Sequence, residues 1–332
     1  MRDWLLTLAI CACGKDAPAP SRLPNESAPT QHITQDSGAA AERAYPDLAA
    51  ALVATIPADA RVIGFGELHA RRDRPAATST LAAFTRALPV LADRLSDLVI
   101  ETWLVDPGCG APAVDATARI ETAVERPAAT RSEIAQLADA ARASRIQPHA
   151  MTLHCADYAA VAPAGSEVDA AAMLSLTTRE LRRIVTSTVA HRDADPRRID
   201  RSRSAARQGS GSACGEGPAC EEPGHRPWIA VYGGALHNNR FPEAGIADWS
   251  YAADADRATG GRFVEIDLVV PELAAASPAA RREPWFPLAG APRDPDHPVL
   301  VWTRGERSFV VILPPSSSAA PGTAPAPGAP GR

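Results

Sequence analysis

Apolar runs of strand length recur along this chain, and between them the apolar spacing changes from a strand's to a helix's. The stretches "RVIGFGE" (61–67), "DLVIETW" (97–103), "WIAVYGG" (228–234) and "RFVEIDLVV" (262–270) are strands, and a further strand lies within "IQPHAMTLHCADY" (146–158). After the first strand, Leu81, Phe84, Leu88, Leu91 and Leu95 fall on one helical face, with Pro75 in its first turn and Pro89 kinking it or starting a second helix. "TRSEIAQLADAARAS" opens with a capping-box pair, Thr130 and Glu133, and carries Ile134, Leu137 and Ala141 on one face. Another such pair, Thr177 and Glu180, starts a helix with Leu181, Ile184, Val185 and Thr188. Strands alternating with helices imply an α/β fold whose mainly parallel central sheet has helices on both faces. "VLVWTR" and "SFVVILP", on either side of Gly305, add a C-terminal β-hairpin that makes the sheet mixed.

This alternation spans residues 45–314, which are expected to form a single domain carrying a polar, Gly-rich surface insertion at about 192–226. The flanks differ. "MRDWLLTLAICACGKD" has an early positive charge at Arg2 and an apolar run too short to span a bilayer as a helix, as a signal-peptide core is. "ICAC" resembles a lipobox, so residues 1–12 are expected to be a lipoprotein signal peptide, with Cys13 the lipidated residue. Residues 13–44 are a polar, Pro-rich tether, and 315–332 a disordered tail of similar composition. Gly14 after that cysteine suits an outer-membrane anchor. The expected location is therefore the cell envelope, at the outer membrane or its periplasmic face, with the membrane as a partner through the lipid. Nucleic acid is not an expected partner: the net charge is −5, and Lys15 is the only lysine.

With Cys11 removed and Cys13 lipidated, four cysteines remain, and an even number in an oxidising compartment suggests two disulfides. Cys214 and Cys220 lie close together in a Gly-rich loop; Cys109 and Cys155 each follow a strand and are placed to meet across neighbouring strand ends. Cys214, Cys220 and His225 do not have the spacing of a standard zinc knuckle.

In open α/β sheets ligands bind outside the carboxyl ends of the strands, so polar residues there carry the functional information. The first strand delivers Glu67 and His69, followed by Arg71 and Arg72; the second, Glu101; the third, His154, Asp157 and Tyr158; the fourth runs through Gly233 and Gly234 to His237, Asn238, Asn239 and Arg240. Glu67 and His69 are two apart, so in extended backbone they point the same way, and a carboxylate beside an imidazole is an acid–base pair. With Glu101 and His237 they form a set of two Glu and two His that would also suit one divalent metal with an open position for water. Arg71 is a candidate clamp for an anion or carbonyl. A carboxylate at Glu101, following "LVI", would be largely buried and must be paired.

The motifs "GELH" (66–69), "IET" (100–102) and "GALH" (234–237) resemble the superfamily that contains the erythromycin esterases, the ChaN haem-uptake lipoproteins and the Tiki/TraB proteins. The resemblance covers about 61–313 and implies an α/β fold in which Glu67, His69, Glu101 and His237 face one cleft. Its branches imply different chemistries: lactone opening by activated water, metal-dependent peptide cleavage, or haem association. His69-Ala70 departs both from the His-Gly of the esterases and from the His-Asp of ChaN-like chains. The expected function is a membrane-tethered hydrolase of an ester, lactone or peptide bond in a small molecule or peptide, with or without a divalent metal. The alternative is a haem- or metal-binding lipoprotein without catalysis, for which Tyr158, Tyr232 or His154 would be the axial ligand.

Overall fold

The structure is a computed structural model that describes residues 42–72, 78–194 and 227–316. Its strands are β1 (Arg43–Tyr45), β2 (Val62–Glu67), β3 (Leu95–Leu104), β4 (Gln147–Thr152), β5 (Trp228–Gly234), β6 (Phe263–Val269), β7 (Val299–Gly305) and β8 (Ser308–Ile312). They form one sheet in the order β1-β7-β8-β6-β2-β5-β3-β4. From β8 to β4 every pairing is parallel, whereas β7 runs antiparallel to both β8 and β1. The α/β class, the mainly parallel sheet and the terminal hairpin are as the sequence indicates.

Helices α1 (Leu48–Thr55), α2 (Thr80–Ala87), α3 (Gly110–Ala123), α4 (Thr130–Ala143), α5 (Cys155–Val161), α6 (Ala170–Ala194), α7 (Ala235–Asn238), α8 (Ala252–Ala258), α9 (Pro271–Ala276) and α10 (Phe286–Ala289) complete the described fold. Alternate residues of β2 serve opposite faces. Ile63 and Phe65 pack with Leu52, Phe84 and Leu137 of α1, α2 and α4. Val62 packs with Leu181, Val185 and Ala252 of α6 and α8. Every residue of β2 is buried, which is why the strand reads as an unbroken apolar run ending in one charge.

A smaller cluster lies beyond the carboxyl end of β3, where Ala113, Ala116 and Ile120 of α3 meet Tyr158, Val161 and Met173. Small alanines bury little area, and a Cys109–Cys155 disulfide, bridging residues 46 apart, staples the starts of α3 and α5. Closing a loop of that length removes about 4 kcal/mol of unfolded-chain entropy in the loop-closure treatment.

Several local expectations are corrected. Leu95 starts β3 instead of extending a helical face; Leu88 and Leu91 belong to a 3-10 turn (Leu88–Leu91) with Pro89 in its first turn. Thr177 and Glu180 do not open a helix, because α6 already begins at Ala170 and both residues are buried inside it. Thr130 does not cap α4 either. Its partner Glu133 instead accepts from Ser79 Oγ at 2.8 Å, and Ser79 caps α2. β1 begins within the segment expected to be tether; three residues at a sheet edge are too few to show an alternation. Pro75, Cys13, Cys214, Cys220 and His225 lie outside the described residues.

Candidate active site

The register β2–β5 sets Glu67 beside Gly234, and β3–β5 sets Ile100 beside Tyr232, so Glu67, Glu101 and the Gly233-Gly234 turn meet at one rim of the sheet. Two glycines are required there by close approach. A Cβ on Gly233 would lie 2.4 Å from Glu101 Oε2, and one on Gly234 would lie 3.0 Å from His69 Nε2. The Gly234 N–H in turn donates to Glu101 Oε2 at 2.6 Å. Gly-Gly thus brings a carboxylate and an imidazole onto bare backbone, and α7 then carries His237 into the same cleft.

Glu67 is buried and fully engaged. One oxygen faces His69 Nδ1 at 2.9 Å; the other accepts from the Tyr232 hydroxyl at 2.5 Å and from the Thr80 hydroxyl. Tyr232 is held by Phe84, with ring centroids 4.9 Å apart, and Phe84 by Phe65 at 4.6 Å. Burial acts to raise the Glu67 pKa, but the hydrogen bond and charge of His69, the Arg126 charge and the Thr80 hydroxyl outweigh it and hold Glu67 below the usual carboxylate range. Burial beside Glu67 pushes the Tyr232 phenol well up.

Arg126, which follows α3, is the group that the sequence concealed. Its Nη2 lies 2.8 Å from His69 Nε2 and 3.7 Å from Glu101 Oε1. In the neutral ring of His69, Nδ1–H donates to Glu67 and Nε2 accepts from Arg126; on protonation, Nε2–H has Glu101 Oε1 at 3.7 Å as its partner. Burial and the Arg126 charge press the His69 pKa down, yet Glu101 and Glu67 together prevail and raise it above its ordinary value. Glu101, opposed by burial but facing His237, His69 and Arg126, is held far below the carboxylate range.

His237 is shifted the other way. Its Nδ1 lies 2.9 Å from the Trp249 carbonyl, an acceptor only, so Nδ1 carries the hydrogen and the Nε2 lone pair is left free of it. The Thr178 hydroxyl, 2.8 Å from the same nitrogen, completes the anchor. Burial lowers the His237 pKa; Glu101 opposes this without reversing it. The two imidazoles therefore differ in charge preference although both line one cleft of about 1810 Å³, together with Glu67, Glu101 and Arg126.

The other candidates fall elsewhere. Arg71 lines the same cleft but pairs with Glu125 at 2.7 Å. Tyr158 is buried in the α3–α5 cluster with its hydroxyl donating to the Leu104 carbonyl, and Tyr232 lies beneath Glu67. His154 is exposed at the start of α5, where its backbone N–H donates to Asp157. None of these three lines the cleft, so none is placed as an axial haem ligand there. Asn238 accepts from the Tyr251 hydroxyl, and Arg240 pairs with Asp256; both are structural. The expected metal set does not fit: among the described residues no three His, Cys, Asp or Glu side chains gather as a metal requires. The cation lying among the site's groups is the Arg126 guanidinium.

Arg126 had no usable signal, because arginine carries nearly all the positive charge of this chain and no single one stands out. It is aimed by Glu125, whose φ of 51° puts a non-glycine residue in the left-handed region. Among the described residues no helix is long and apolar enough to cross a membrane. Comparison with protein-family models, with curated proteins and with solved structures gives no match.

Proposed function

We propose that this cleft is the active site of a hydrolase acting on an ester, lactone or peptide carbonyl. The observation that carries the reading is the geometry of two imidazoles in one cleft, His69 held at Nδ1 by Glu67 and His237 held at Nδ1 by the Trp249 carbonyl so that its Nε2 lone pair is bare. The environment of His237 disfavours the proton, and that of His69 favours it. Paired titratable groups with pKa values pushed apart are the signature of divided acid and base roles.

In this reading water enters between the two rings. His237 Nε2 takes a proton from it while its oxygen attacks the carbonyl carbon, and Glu101 stabilises the imidazolium that forms. Negative charge growing on the carbonyl oxygen is met by Arg126. As the tetrahedral intermediate collapses, His69 donates its Nε2 proton to the departing oxygen or nitrogen. Glu67, fixed by Tyr232 and Thr80, holds Nδ1–H and so the orientation of the ring. Neither glutamate is suited to be the base, since both are held ionised well below neutrality. Proton transfer by a positioned side chain contributes about 10²–10⁴-fold, and an oxyanion partner a comparable factor.

The same reading places the domain at the cell envelope, tethered through Cys13, within the superfamily of erythromycin esterases, ChaN-like lipoproteins and Tiki/TraB proteins. Its support is the lipobox-like "ICAC" and the motifs "GELH", "IET" and "GALH". The test is an assay of ester, lactone and peptide panels with the purified protein, His69→Ala and His237→Ala. Each variant is expected to lose at least about 100-fold in kcat/KM; activity indifferent to both substitutions would refute the proposal.

A further inference from the structure

We infer that the substrate is an ester bearing a bulky apolar group, an inference that rests on the hydrolytic reading above and narrows it. The volume of about 1810 Å³ exceeds the roughly 300–1,000 Å³ of pockets that enclose small ligands. Its walls carry apolar side chains from several elements: Trp103 and Leu104 from β3, Val114 and Ile120 from α3, Ile134 from α4 and Leu273 from α9.

Leu104 and Val114 are the informative pair. They are 55% and 58% exposed, so the core gains little from them. Among the described residues five large apolar side chains are exposed, and two of the five stand in this cleft. Together with the other apolar wall residues they line the cleft that holds the acid–base groups, the composition of a ligand site. Three of the wall arginines are paired, Arg71 with Glu125, Arg131 with Glu121 and Arg142 with Asp139, and Arg72 lines the cleft beside them. An apolar substituent would cover Leu104 and Val114. Arg126, already directed at His69 and Glu101, serves the reacting carbonyl.

The test measures kcat/KM for p-nitrophenyl esters from acetate to decanoate, with the anionic hemisuccinate as comparator. It uses the wild type, the double variant Leu104→Asn/Val114→Asn, and Val53→Asn as an exposed apolar control on α1, outside the cleft. Each added methylene is expected to raise kcat/KM by about two- to fourfold, the upper figure being full burial of the group. The double variant is expected to flatten that slope while melting like the wild type, and Val53→Asn to keep the slope. A flat profile with His237-dependent hydrolysis, or a preference for hemisuccinate, would overturn the inference and leave the hydrolytic reading standing. Absent turnover of these esters would overturn the inference alone, because the hydrolytic reading also covers lactones and peptides; turnover indifferent to His237→Ala would overturn both.

Discussion

Arg71 and Glu125 pair at 2.7 Å, and the N–H of Arg72 donates to the Glu125 carbonyl at 2.8 Å. The loop leaving β2, which carries His69, is thereby fastened to the residue immediately before Arg126. This fastening holds Glu125 at a φ of 51°, a conformation that costs a side-chain-bearing residue about 1–2 kcal/mol. Fold stability and the aim of Arg126 are thus set against each other.

Glu125→Gly separates the two. Glycine relieves the left-handed backbone and forfeits only a partly exposed ion pair worth about 0–1 kcal/mol. The variant is expected to melt at or a few degrees above the wild-type temperature, yet to lose roughly ten- to a hundredfold in kcat through misplacement of Arg126. Thermal unfolding and steady-state kinetics on the same preparation check this; loss of stability and activity together would assign Glu125 a merely structural role.

The rate profile with pH follows from the signs of the two histidine shifts. Activity needs His237 neutral and His69 protonated. The acid limb of kcat/KM therefore reports His237 and lies below the ordinary histidine value of 6.5, and the alkaline limb reports His69 and lies above it. Glu67→Gln removes a carboxylate that raises His69, so its alkaline limb should move to lower pH while its acid limb stays.

Because a guanidinium stands among the site's carboxylates and imidazoles, a chelator is expected to leave activity unchanged, and Arg126→Ala to reduce it by about 100-fold or more. Steady-state rates before and after dialysis against EDTA are the check. Loss of activity on dialysis, restored by a divalent ion, would contradict the account.

A second buried cluster has a stability signature. Asp267 on β6 faces Arg304 at 3.2 Å, but its Oδ1 is buried without a hydrogen-bond partner among the described residues. Burial, then the nearby charges of Glu265 and Glu283, push its pKa up to about 7. A carboxylate raised on folding binds a proton that the unfolded chain has released, so its contribution fades as pH climbs from about 4 to about 7. The wild type should therefore lose melting temperature between pH 5 and pH 8, and Asp267→Asn should lose several degrees less, read by scanning calorimetry. An identical pH response of the two proteins would refute the assignment.

Much of this arrangement was legible because it is written in local pattern. β2 is apolar on both faces, Glu67 and His69 share one side of it, and Cys109 and Cys155 each follow a strand; all three are readable from spacing. Arg126 was not, since it reaches the site through a turn whose strain is visible only in the backbone. Thr177 and Glu180 show the converse failure: their spacing imitates a helix start, but α6 runs back to Ala170, with Met173 and Leu176 packed in the α3–α5 cluster. The metal expectation failed because residue types alone do not reveal that Glu67 is taken by Tyr232, Thr80 and His69, or that an arginine supplies the cation.

The most direct measurement is the NMR titration of the imidazole nitrogens of His69 and His237, assigned by His69→Ala and His237→Ala. The account predicts that His237 keeps its hydrogen on Nδ1 when neutral and gains its second proton at a pH below that at which His69 does. Titration in the opposite order, or a His237 hydrogen resting on Nε2, would contradict it.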